Sequence, residues 1–205
     1  MPSISAGANV VVPGPSWVVA EMPPGYQNRV MEIQRLTLDL QEMGQFGRLL
    51  YEVGAELGEV VRAVFAALKF ETDVVAGPVS SGVAVRLDAQ RRLLLHPSGA
   101  TEAIQKKGPE VAHVFQMMHE AAEDADRVVL ITNTEPAKRP ADRAAAVTPE
   151  ALAFLVRMGA SHLAASTLFA LWKLSLVDPV RARAQVERLY AHAAGTFDLP
   201  VAAVR

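Results

Sequence analysis

Arg127-Val128-Val129-Leu130-Ile131-Thr132-Asn133 is the stretch on which the fold turns. Four consecutive β-prone apolar residues stand between a charge and a loop, as in a strand buried on both faces. Immediately upstream, Pro109 suits a first helical residue, and Val111, Val114, Phe115, Met118 and Ala122 lay an apolar stripe along a helix that ends near Asp124. Three short β-prone runs precede that helix, Asp73 to Ala76, Val83 to Leu87 and Arg92 to Leu95, broken by Gly77-Pro78 and by the turn Asp88-Ala89-Gln90. They predict three strands, the last two forming a hairpin. A strand, a helix and then a buried strand require a crossover, so the sheet is expected to be partly parallel.

Further out, the pattern becomes helical. Gln27 to Gly44 carries Val30, Met31, Ile33, Leu36, Leu38, Leu40 and Met43, mostly three or four residues apart. Gly47 to Lys69 predicts a second helix, with Leu50, Val53, Leu57, Val60, Val61, Val64, Phe65 and Leu68 on one side and Arg48, Glu52, Glu56, Glu59 and Arg62 on the other. The carboxylates Glu52, Glu56 and Glu59 read most simply as a solvated face. After the loop Thr134 to Val147, Thr148-Pro149-Glu150 combines an N-cap, a first-turn proline and an early acid, opening a helix to about Met158. Ser166 to Leu176 and Asp178 to Ala194 supply two more, the second opened by Asp178-Pro179 and closed by Gly195. The expected organisation is a loose tail over 1–26 and one domain over 27–205, in the order α, α, β, β, β, α, β and a helical C-terminal third.

A chain of 205 residues can bury one full core and is short for two. With no cysteine, disulfides, thiol nucleophiles and cysteine metal sites are all excluded, in keeping with a reducing, cytoplasmic compartment. The longest apolar stretch, Leu163 to Trp172, is far shorter than the ~20 residues that span a bilayer. Met1 to Pro15 lacks the basic start and apolar run of a secretory signal. A formal charge of −2 sets up no large field for nucleic acid.

The central order of helix, three strands, helix and strand resembles the core of the restriction-endonuclease-like superfamily, the PD-(D/E)XK nucleases. Local sequence is similar too. Leu49-Leu50-Tyr51-Glu52-Val53-Gly54-Ala55-Glu56-Leu57-Gly58-Glu59-Val60-Val61, ending in Ala67-Leu68-Lys69-Phe70, looks like the first core helix of its stand-alone bacterial members. Val128 to Asn133, followed by Pro140-Ala141-Asp142-Arg143, is similar to their strand and Pro-x-x-Arg loop. The resemblance covers about Val30 to Leu176. It implies an α/β fold in which a carboxylate on the second strand and a Glu-x-Lys on the third hold magnesium and activate water against a phosphodiester.

This chain departs from that pattern at its chemical centre. The third strand reads Leu93-Leu94-Leu95-His96-Pro97-Ser98-Gly99, so His96 stands where the glutamate is expected and Ser98 where the lysine is expected. Counting back leaves Val83 or Ala84 at the aspartate position. Asp88 is a candidate migrated acid, although aspartate is favoured in a turn simply because it bonds nearby amides. Glu52, Glu56 or Glu59 could supply one ligand, but one carboxylate with His96 makes a poor magnesium site. His113 and His119 are six apart and do not share a helix face, which argues against a metal site. Gly77 to Gly82 lacks the lysine of a phosphate loop. Basic groups stand at Arg86, Arg91 and Arg92, at Lys106 and Lys107, and at Lys138, Arg139 and Arg143; the first two could flank the cleft with Glu52, Glu56 and Asp88. Few aromatics accompany them for base stacking. Arg143 is expected to pair with Asp142 or Glu150.

The expectation is therefore an endonuclease-like domain with no catalytic residues, metal or cofactor, acting as a protein-binding or scaffold module. Its surplus apolar surface at Val30, Met31, Leu38, Leu40, Phe46 and Leu49, and again at Phe169, Leu171, Trp172 and Leu174, predicts a homodimer, unless the first helix folds back on its own domain. The alternatives are a nucleic-acid binder without cleavage, or a divergent nuclease with rearranged acids.

Overall fold

The computed structural model describes residues 17–76, 81–121 and 125–200. The chain divides into two compact units, Met1–Met43 and Gly44–Arg205. In the first, a single helical turn α1 (Val18–Glu21) precedes the start of the long helix α2 (Tyr26–Phe46), so the segment expected as tail is helical at its end. The stretch 1–16 lies outside the described residues.

The second unit is α/β. A 3-10 turn (Gly47–Leu50) leads into α3 (Gly54–Ala67), then β1 (Glu71–Ala76), β2 (Ser81–Arg86), β3 (Arg92–Ala100), α4 (Pro109–Glu120) and β4 (Asp126–Thr134). The C-terminal part adds α5 (Pro149–Met158), β5 (Ser161–Ala164), α6 (Ala165–Val177), α7 (Pro179–Ala191) and β6 (Gly195–Thr196). The six strands form one mixed sheet in sequence order, antiparallel from β1 to β3 and parallel from β3 to β6. The expected crossover is present: β4 runs parallel to β3 with Leu94 beside Val128 and His96 beside Leu130.

Strand side chains alternate between faces, and this divides the core in two. Val83, Val85, Leu93, Leu95, Val129 and Ile131 cluster with Leu57, Val61 and Val64 of α3 and with Leu168 and Trp172 of α6. Ala84, Leu94, Val128 and Leu130 cluster with Val111 and Val114 of α4 and Ala151 and Leu155 of α5. Caps appear where the sequence places them: Thr148 Oγ1 accepts from the Ala151 amide at 3.4 Å, and the Asp178 carboxylate from the Arg181 amide at 2.9 Å.

Three expectations need correction. The helix expected over Gly47 to Lys69 is broken at Tyr51–Val53, and Gly54 enters α3 with a left-handed φ of 62°. Val53, expected in the core, is 40% exposed; it lies over Gly99, whose missing Cβ would sit 2.4 Å from a Val53 methyl. The C-terminal third is not purely helical, because β5 and β6 extend the sheet; Ser161–Ala164 is hidden in an apolar run that also starts a helix. Finally, Leu171, Trp172 and Leu174 are not surplus surface. All three are buried in their own unit, and Phe46 stacks on Trp172 with ring centres 4.8 Å apart. Leu49 is buried as well.

Candidate functional site

The positions that the resemblance would assign to a nuclease centre are dealt to opposite faces of the sheet. Val83 points to the α3 side and Ala84 to the α4 side. His96 is buried beside α4, its ring 5.2 Å from that of His113 in an edge-on contact. Burial, and then the neighbouring His113, push the His96 imidazole down to about 4. Ser98, two residues on, shares the His96 side by alternation. Pro97 between them faces α3.

Opposite Pro97 lies a cavity of about 470 Å³ within the second unit. One wall is α3, through Gly54, Gly58, Glu59 and Arg62, and the floor is Val74, Val83 and Pro97 from β1, β2 and β3. Glu52 and Glu56 do not line it; Glu52 holds Arg48 at 3.2 Å. Asp88, Arg91, Arg92 and Lys106, expected to flank a cleft, are not here. The site as drawn from sequence is not one place.

What the carboxyl end of β4 holds together is backbone. Asn133, fully buried, donates from Nδ2 to the Glu52 carbonyl at 2.7 Å and accepts at Oδ1 from Arg143 Nη1 at 2.6 Å. Arg143 also donates to the carbonyls of Leu50 and, at 3.0 Å, Lys138. The expected pairing with Asp142 or Glu150 is thus replaced by carbonyl and amide oxygens, and burial lowers the guanidinium pKa. Those bonds take carbonyls that a continuous helix would use, which accounts for the break before α3.

The amino ends of β3 and β4 carry the ion pairs. Arg92 makes a two-pronged bond to the buried Asp126 at 2.9 and 2.8 Å. Asp88 accepts from the Gln90 and Arg91 amides in its turn, and these bonds with the Arg91 guanidinium hold its carboxyl down to about 2. Arg91 also reaches Glu187 at 2.8 Å and stacks with Arg127 on Tyr190, at 5.1 and 5.4 Å, beside an open groove of about 950 Å³. Arg86 lies near Glu71 and Asp73, and Lys106 over the Phe154 ring at 5.5 Å.

No family model, curated protein or solved structure matches the chain.

Among the described residues, no three of the His, Asp or Glu side chains cluster as a cation would require, and no helix is long and apolar enough to cross a membrane. One buried polar assembly was missed from sequence. His162 on β5 is bonded at Nε2 by Thr132 Oγ1 (2.8 Å) and at Nδ1 by Thr196 Oγ1 (3.2 Å), tying three parallel strands together. Burial pushes its pKa down to about 4, so it works as a neutral strap. A lone histidine in an apolar run has no sequence signal for this, because both partners are distant in sequence.

Proposed function

We propose that the chain is a restriction-endonuclease-like domain without nuclease chemistry that acts as a protein-binding module, pairing with a second copy through α2. The observation that carries this reading is α2 itself: 21 residues with none buried, and Met31, Ile33, Leu36, Leu38, Leu40 and Met43 all among the exposed large apolar side chains. Ile33, Leu36, Leu40 and Met43 recur at steps of three, four and three, the spacing of a two-helix seam. A second copy fits better than a charged partner. Arg35 already holds Glu32 at 2.8 Å and Asp39 at 2.9 Å on the same helix, so these three charges are satisfied within each copy. Closed two-fold pairs reuse one patch on both copies.

The nuclease-like reading is supported by the order α3, β1, β2, β3, α4, β4 with its antiparallel meander and parallel fourth strand. The loss of chemistry is supported by Val83, Ala84, His96 and Ser98, which offer no carboxylate and no lysine. Nucleic-acid binding has less support, since Arg86, Arg91 and Arg92 each have acidic side chains within ion-pair distance.

Light scattering at micromolar concentration tests the pairing. The expected mass is twice the single-chain 22.0 kDa, falling to one chain in Leu36→Glu/Leu40→Glu. A mass of one chain that is unchanged on dilution removes the dimer and leaves the fold-back arrangement. Supercoiled plasmid incubated with magnesium or manganese is expected to stay intact; cleavage abolished by Asp88→Ala would overturn the non-catalytic reading.

A further inference from the structure

We propose that the cavity between α3 and the β1–β3 meander binds a small zwitterion with an apolar side chain, of the chemical class of free apolar α-amino acids. Its size comes first: about 470 Å³ falls in the range of small-molecule sites. The floor is apolar, and Val74 is 61% exposed on the α3 side of the sheet, where its strand partner Val83 belongs to the core. That is apolar surface which the described residues leave uncovered.

Gly58 keeps this space open. It lies inside α3, where glycine costs helix stability relative to alanine. The backbone does not require it, because its φ is not left-handed. Packing does not require it either: a Cβ there would meet only the Pro97 ring, at an ordinary 3.9 Å. Its effect is to leave room above Pro97.

The mouth selects the charge pattern. Glu59 and Arg62, three residues apart on α3 and both lining the cavity, are exposed and make no ion pair with each other or with any other described residue. A simple carboxylate would meet Arg62 and leave Glu59 facing like charge, and a simple amine would do the reverse. A ligand carrying one carboxylate and one ammonium beside an apolar body satisfies both.

Calorimetric titration of the full chain with phenylalanine, N-acetylphenylalanine and phenylalaninamide tests this. Phenylalanine is expected to bind saturably. Blocking either charge is expected to weaken binding at least about tenfold, the loss that removal of one charged hydrogen bond implies. Arg62→Gln, an exposed change, is expected to weaken phenylalanine by a similar factor, and Gly58→Leu to abolish binding with an unchanged far-ultraviolet circular dichroism spectrum. The proposal is overturned if neither phenylalanine nor leucine binds at millimolar concentration, if the N-acetyl form binds as well as the free amino acid, or if Arg62→Gln leaves affinity unchanged. Because α2 takes no part in the cavity lining, dimer formation and ligand binding fail separately.

Discussion

The two faces of the sheet are built from the same alternating strands and differ in kind. On the α3 face Val83, Leu95, Val129, Ile131 and Leu163 are buried apolar side chains, with a cavity beside them at Pro97. On the α4 face the corresponding row contains His96, Leu130 and His162, adjacent in register across β3, β4 and β5. The strand side chains of the α3 face are thus mainly apolar, whereas the α4 face includes two imidazoles that must stay neutral. The positions compared with a nuclease centre in the sequence are split by this difference: His96 belongs to a buried face, whereas the open space lies on the other.

Acid is expected to test the contrast most severely. An unfolded histidine titrates near 6.5, while His96 and His162 are held at about 4 in the fold. Between those values the unfolded chain binds more protons, so the stability present above about pH 6.5 is lost as pH falls toward 4. The loss is roughly 3 kcal/mol for each histidine. Urea unfolding at pH 7 and pH 4.5 measures it, and His96→Phe should flatten the dependence. An unchanged slope in that variant breaks the distinction between the faces.

On the opposite face the expected effect comes from packing and is independent of pH. Leu57 of α3 is fully buried against the sheet, and Leu57→Ala should cost about 2–5 kcal/mol through lost transfer energy and a new cavity. A change below about 0.5 kcal/mol would show that this face does not carry the core.

Arg143→Ala should cost about 2 kcal/mol, because it strips the Leu50 carbonyl and the buried Asn133 of a charged donor. Arg143→Lys should recover only part of this, since an ammonium cannot span the same acceptors. Full recovery in thermal melts would mean that charge alone matters there. The smallest effect is expected at Asp88→Ala, in an exposed turn. Its carboxylate is held at about 2, so the stabilisation it contributes is present above its ordinary range near 4 and fades as pH falls through 2. A large loss in urea midpoint at pH 7 would give Asp88 a role beyond its turn.

The sequence by itself determined the element types of β1 to β4 and of every helix with a strong apolar stripe, because period two and period 3.6 are local properties. It determined the caps at Thr148 and Asp178 for the same reason. It also determined that Val83, Ala84, His96 and Ser98 carry neither a carboxylate nor an ammonium group. Only the tertiary structure decided which of those positions share a face, since moving one residue along a strand reverses the side. It alone revealed the break at Tyr51–Val53, which depends on Asn133 and Arg143 from distant parts of the chain, and the burial of Trp172 beneath Phe46. The cavity at Gly58 was equally illegible, because a glycine in an amphipathic stripe looks the same whether its missing side chain faces solvent, a neighbour or an open space.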